Sequence, residues 1–284
     1  MRPLRQIPRL VRPLWGGDTL ARAWGKGAGT IGESWEVWGE NVVIGADARF
    51  AEVAALPLLV KLLDVRERLS VQVHPDDATA RGYGLPHGKS EGWVILHAEP
   101  GARVAVGLRH DLTATELAER ARDGRIEDDL DWRSVREGDV FDVPAGTVHV
   151  IGAGVVLYEV QQPIDVTYRL YDWGRARELH LARGVASARP GPPAPRVPAR
   201  ALDESRTLLL DTRYFSIERR VEGLWRARTW EAVTVVRGTL HVGGEDIGFG
   251  ETVCLPPGEW RARGDGACLV ALPGERVAAD LSGV

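Results

Sequence analysis

The chain contains two cysteines, one methionine, a single asparagine (Asn41) and, among 36 basic residues, only three lysines: Lys26, Lys61 and Lys89. Two cysteines, Cys254 and Cys268, are too few for a disulfide framework, so a reducing cytoplasm is the expected compartment. No apolar run approaches the roughly 18 residues of a membrane span, and no membrane partner is expected. The opening MRPLRQIPRLVRPLW is basic but has no apolar centre, so it does not read as a secretory signal. A net charge of -4, mixed in sign, argues against a dedicated nucleic-acid binder. Also missing are a G-x-G-x-x-G after a strand, a P-loop and a G-x-S-x-G nucleophile elbow. What remains, with 44% hydrophobic and 27% charged residues over 284 positions, is a globular chain of one large or two smaller β domains.

Residues 188–199, ARPGPPAPRVPA, carry five prolines and read as an extended linker, since proline neither donates to a sheet nor continues a helix. The linker separates a domain of residues 1–187 from one of 200–284. Both parts are built from short β-branched runs punctuated by glycine: LLVKLLDV, LSVQVHP, GWVILHA and VVLYEVQQ before it, WEAVTVVRG and ETVCLPP after it. Such spacing suits antiparallel sandwiches or barrels. One helix is marked by a capping box, Thr113 to Glu116, with Leu117 and Ala121 on one face and Gly124 as its stop. The expected class is mainly β with a few short helices.

The two halves share a pattern. Gly138-Asp139, Pro144, Gly146 and His149 recur at the same offsets as Gly250-Glu251, Pro256, Gly258 and Arg261. Each reads as a strand ending in a Pro-x-Gly turn that aims the next strand back into a barrel. This resembles the second motif of the cupin superfamily and implies two cupin-like jelly-roll β domains. Arg261 cannot ligate a metal where His149 can, so the second barrel is expected to be degenerate.

Gln72 and His74, two apart on a strand, project to one side, with Val73 opposite. Glu91 adds a carboxylate at the entrance of the run WVIL, and His149 a second imidazole after the turn. Singly, each has an ordinary structural role. Turned inward together, two imidazoles, a carboxylate and the Gln72 oxygen make a site that suits catalytic Zn²⁺ and is also accepted by Mn²⁺ or Fe²⁺. The segment 158–173, YEVQQPIDVTYRLYDW, places Glu159, Gln161, Asp165, Thr167 and Arg169 on one face of an extended chain, as the polar wall of a pocket. Arg169 there could hold a phosphate or oxyanion through its planar fork. Trp15-Gly16-Gly17 and the run 31–36, IGESWE, read as packing that closes a barrel end. His87, His97, His110, His180 and His241 lack partners at ligand spacing and are expected in surface or core roles.

Taken together, LWGGDTL, IGESWEVWG, QVHPDD, GKSEGWVIL, PAGTVHVIG and DVTYRLYDW resemble the type I phosphomannose isomerases in their short bacterial form, over most of residues 14–175. The resemblance implies one Zn²⁺ per chain held by Gln72, His74, Glu91 and His149. It places the active-site arginine at Arg169, the lysine of the G-K-x-E motif at Lys89 and a pocket glutamate at Glu159. It implies interconversion of mannose 6-phosphate and fructose 6-phosphate through a cis-enediol, with a sugar phosphate as partner and a monomer or weak homodimer as assembly. Ile164, Val94 and Trp38 depart from the family pattern and bear on which sugar is accepted. Other readings of the same residues are an isomerase of unphosphorylated mannose or fructose, a metal-dependent cupin oxygenase, and a non-catalytic sugar-binding cupin.

Overall fold

A computed structural model describes residues 2–193 and 198–274. The fold is mainly β, with short helices, and its strands form four sheets in which every pairing is antiparallel. The first sheet has the order Arg9–Val11, Glu33–Val37, Leu59–Val65, Val155–Gln161, Glu91–Ala98, Val140–Val143. The second runs Tyr168–Tyr171, Val71–Val73, His149–Ile151, Arg103–Leu108, Leu130–Ser134. These two enclose one cupin-like barrel. The third sheet, Arg200–Ala201, Arg206–Asp211, Phe215–Arg220, Ala267–Pro273, Glu231–Arg237, Thr252–Leu255, repeats the connectivity of the first. The fourth, Gly223–Ala227, Gly258–Gly264, Thr239–Val242, Glu245–Gly248, repeats four strands of the second and closes the other barrel.

The run Leu59–Val65 lacks polar alternation because both of its faces are covered. Leu63 and Val65 point into the first barrel with Trp93, Ile95 and Leu157. Val60 and Leu62 point the other way, onto Phe215, Ile217, Leu269 and Ala271 of the third sheet. The two six-stranded sheets thus pack back to back, and burial of this apolar seam holds the barrels together. At Gly92 the approach is so close that an added Cβ would lie 2.4 Å from a methyl carbon of Leu210.

The outer face of the second sheet is covered by helices. Val71, Val73, Val150 and Leu170 pack with Leu117, Ala121 and Ile126. The helix Ala114–Asp123 starts at the expected cap: Glu116 N donates to Thr113 Oγ1 at 3.2 Å, and Thr113 N donates back to the Glu116 carboxylate at 2.8 Å. It stops at Gly124, whose φ of 82° suits glycine. No helix among the described residues is long and apolar enough to cross a membrane. Cys254 and Cys268 are buried and unpaired, their thiols pushed up to about 12 by burial.

Of the proline-rich stretch, residues 194–197 lie outside the described residues. The part before them is laid against the first barrel, with Leu108 N donating to Gly191 O at 2.9 Å and Leu112 N to Pro190 O at 3.0 Å.

The sidedness of the second copy differs from the sequence expectation. His149 pairs with Gln72 and both turn inward, whereas Arg261 pairs with Leu224 and both are exposed. The inward pair is Trp225 with Trp260, each buried in the second core. A one-residue difference in how the strand leaves the Pro-x-Gly turn flips every side chain to the other face. The second barrel is filled by indoles, and Arg261 plays no part in its interior.

Candidate metal centre and its cavity

Three neighbouring strands set one row of the site. Arg169, Gln72 and His149 are register partners across the second sheet. Facing them from the first sheet come Lys61, Glu159 and Glu91, since Lys61 is paired with Glu159, and Glu91 with Gln161 two residues further on. Between the sheets lies a cavity of about 220 Å³ lined by Gln72, Lys89, Glu91, Glu159, Asp165, Thr167 and Arg169, with Glu33, Lys61 and Arg177 also on its wall.

His74, Glu91 and His149 converge beside it, Glu91 alone being on its wall, with one potential ligand atom from each lying within 4.8 Å of the others. All three are buried. Glu91 Oε1 is 3.1 Å from His74 Nε2 and Oε2 is 3.7 Å from His149 Nε2. Burial, then the charge of Lys89, lowers the His74 pKa to about 3, so that ring is neutral and its contact with Glu91 is no ion pair. Burial also lowers His149, against the opposing pull of Glu91. Glu91 is held well below the usual carboxylate range: burial would raise it, but the charge of Lys89, with Nζ 2.8 Å from Oε1, outweighs that. His149 Nδ1 donates to Thr147 O at 2.8 Å, leaving Nε2 as the lone-pair atom facing the site. Neither ring nitrogen of His74 makes a hydrogen bond among the described residues. Gln72 presents its amide nitrogen 3.3 Å from His149 Nε2, and a half-turn of the amide presents oxygen instead.

Two neutral imidazoles, an ionised carboxylate and an amide, with a buried imidazole lacking partners, fit a divalent cation. Without one, the His74 nitrogens are the kind of unsatisfied polar atoms that folded proteins avoid.

Glu159 sits beside this centre. Its carboxyl is pushed up to about 7 by burial and by the charge of Glu91, with Lys61 pulling the other way. The indole N–H of Trp93 is shared between Glu91 Oε2 at 3.2 Å and Glu159 Oε2 at 3.0 Å. Arg169 donates from one terminal nitrogen to Glu178 O at 2.7 Å, and its Nε makes no hydrogen bond among the described residues. Burial, then Arg177, lowers its pKa from the usual value. By contrast Arg177 is committed to Asp172 at 2.7 Å.

The polar segment 158–173 is not one strand. It leaves the first sheet after Gln161 and joins the second at Tyr168, so Glu159, Asp165, Thr167 and Arg169 reach the cavity by different routes. Gln161 does not line it; its amide donates to Ile164 O at 2.7 Å and Gln162 O at 3.1 Å and braces the crossing. His180 also gains a local role: its Nδ1 accepts from Arg169 N at 3.2 Å.

Lys61 and Glu33 escaped the sequence reading. Lys61 Nζ lies 3.3 Å from Glu33 Oε2 and 3.3 Å from Glu159 Oε1. Its signal was a lysine inside an apolar run, in a chain that writes almost every cation as arginine. All three lysines are paired with buried or half-buried carboxylates, the third being Lys26 with Glu36 at 2.7 Å.

Fold and site together define a cupin-like β protein with a candidate metal centre in its first barrel. The family described as phosphomannose isomerase type I, catalytic domain, matches residues 33–87. The chain is 34% identical over 226 residues to the mannose-6-phosphate isomerase of Streptococcus mutans, covering 69% of this chain and 71% of that one. It is 33% identical over 239 residues to the mannose-6-phosphate isomerase of Bacillus subtilis, covering 76% and 74%. A crystal structure of the mannose 6-phosphate isomerase from Bacillus subtilis superimposes with a TM-score of 0.85 at 25% identity, covering 96% of this chain and 100% of that one. The chain belongs to the mannose-6-phosphate isomerase family, among the type I phosphomannose isomerases.

Proposed function

We propose that the chain is a zinc-dependent aldose–ketose isomerase that interconverts mannose 6-phosphate and fructose 6-phosphate. The observation that carries this is the convergence of His74, Glu91 and His149 beside a cavity lined by Glu91, Glu159 and Arg169. His74, Glu91, His149 and Gln72 would hold one zinc per chain, supplying Lewis-acid polarisation of a sugar oxygen. Residues 1–187 form the catalytic domain in this reading, and 188–199 link it to 200–284.

The chemistry asked of the protein is transfer of a proton from C2 to C1 through a cis-enediol. A general base works best with a pKa near the working pH, and a carboxyl pushed up to about 7 suits Glu159 to take and return that proton. Lys89 is less suited to the shuttle, because it is bound to Glu91 at 2.8 Å; its role is to hold that carboxylate ionised and oriented. Arg169, with no carboxylate partner among the described residues, turns a fixed positive fork toward oxygens that gain charge in the enediolate. The wall of Asp165, Thr167 and Glu33 offers partners to sugar hydroxyls.

The test is an isomerase assay on mannose 6-phosphate with and without chelator, alongside metal analysis and the variant His149→Ala. Turnover that disappears with chelator and returns with Zn²⁺ supports the reading. A His149→Ala protein with normal turnover and stoichiometric zinc ends it.

A further inference from the structure

Asp77, three residues beyond His74, gathers donors from separate parts of the chain. Its Oδ1 accepts from Gly88 N at 2.9 Å and from Gln162 Nε2 at 3.1 Å. Its Oδ2 accepts from the Tyr214 hydroxyl at 2.7 Å, with Arg213 farther off at 3.5 Å. Neither Asp77 nor Tyr214 lines the cavity.

Each contact leads to a segment that carries the metal centre. Gly88 precedes Lys89, whose N donates to Pro75 O at 3.0 Å. The two loops are nested: a Cβ on Gly88 would lie 2.6 Å from Pro75 O. Gln162 is tied to Ser90 in both directions, accepting from Ser90 N at 3.0 Å and donating its own N to Ser90 O at 3.2 Å. Ser90 Oγ accepts from Ala145 N at 3.1 Å, and Gly146 N donates to His74 O at 2.8 Å. One carboxylate thus connects the segments bearing His74, Lys89 with Glu91, and His149. Tyr214 and, at longer range, Arg213 reach it from the second barrel, Tyr214 by the shorter bond. The hydrogen bonds from Gly88, Gln162 and Tyr214 outweigh burial and keep the Asp77 pKa low, so these are bonds to a charged acceptor, the stronger kind.

We propose that Tyr214, acting through Asp77, is a positioning residue by which the second barrel fixes the loops of the metal centre. This gives that barrel a task in the reaction beyond burying the seam. The inference rests on the metal site of the proposed isomerase, so its test reads metal affinity before activity. Outer partners that orient metal ligands typically cost roughly 10–100-fold in affinity or activity when removed.

Tyr214→Phe deletes one oxygen, and its Zn²⁺ affinity, read by competition with a chromophoric chelator, falls about tenfold. Turnover falls with it while KM stays put, because no substrate contact is lost. Asp77→Asn, which also disturbs the bonds from Gly88 and Gln162, shows a loss at least as large, and Tyr214→Phe costs less in the Asp77→Asn background than alone, since Tyr214 acts through that carboxylate. A Tyr214→Phe protein that melts lower yet binds Zn²⁺ as tightly as the parent overturns the proposal, for its role is then only to hold the barrels together. If the parent binds Zn²⁺ but does not isomerise mannose 6-phosphate, the substrate reading falls and the affinity comparison still decides this one.

Discussion

Glu91 and Glu231 occupy the same place in the two barrels. Each opens an inner strand, and each is the register partner of the last residue before a Pro-x-Gly turn, Val143 in one case and Leu255 in the other. Their surroundings have diverged. Glu91 meets two neutral imidazoles and Lys89, whereas Glu231 is gripped by Arg220 at 2.6 and 3.2 Å. Arg220 also donates to Glu218 at 2.7 Å and stacks near Trp225. A guanidinium and two indoles fill the second barrel where the first keeps ligands and a cavity.

Arg220→Ala therefore tests a purely structural role. It leaves Glu231 buried without its cation, a change that costs about 3–5 kcal/mol. Urea denaturation at neutral pH should show that loss, with kcat of the folded fraction unchanged. A loss within about 0.5 kcal/mol, the range of ordinary surface substitutions, would remove the ion pair from the account of stability.

Much of this site could be read from the chain because inward-facing residues in a strand recur at every second position. Gln72 and His74 follow that rule, and the Thr113–Glu116 box marks its helix because a cap is a local device. What stayed hidden depends on contacts between distant segments. Lys61 lies in a run that is apolar on both faces, and only the packing of the third sheet explains why the alternation vanished. Gln161 fell out of the predicted wall because the chain changes sheets just after it, and Arg261 is no inward counterpart of His149 because one residue at a turn reverses a strand. The Asp77 hub joins residues 137 positions apart, which no local pattern announces.

Arg169→Lys separates charge from shape. A lysine ammonium keeps the positive charge but not the planar fork. Zinc content should match the parent, and kcat should fall roughly 10²-fold, the loss typical of one removed oxyanion donor. Steady-state kinetics with metal analysis checks both, and an unchanged kcat would take Arg169 out of the reaction.

The ionisation of Glu159 has consequences for both stability and rate. A carboxyl whose folded pKa is about 7 against an ordinary 4.5 binds its proton more tightly when folded. That contribution is fully present below the ordinary value and is lost as pH rises through about 7. Glu159→Gln cannot ionise, so the metal-free variant should gain stability over the metal-free parent as pH is raised from about 5 to about 9. In the proposed mechanism the ionised form is the base, so kcat/KM of the parent should rise along an acid limb, at or below about 7 because a bound cation favours ionisation. Glu159→Gln should lack that limb and most of the activity. A stability difference that stays flat with pH contradicts the assignment.

Lys61 sets where that limb falls. Its ammonium lies 3.3 Å from both Glu33 and Glu159 and 5.0 Å from the Trp35 ring, and it is buried. Burial alone would lower the Lys61 pKa, but the two carboxylates outweigh it and raise it above the usual value, so the ammonium is a fixed charge. In Lys61→Met the stem length is kept and the charge is lost. Glu159 then keeps the influences that raise it, burial and Glu91, without the cation that lowers it, and its pKa must climb further. The acid limb of kcat/KM should move to higher pH, so that the variant is most impaired near neutrality and recovers part of its activity in alkaline buffer. Uncompensated burial of Glu33 should also lower stability by about 3–5 kcal/mol. A pH–rate profile of the purified variant decides the point: a limb left in place, or moved toward acid, would mean that Lys61 does not tune Glu159.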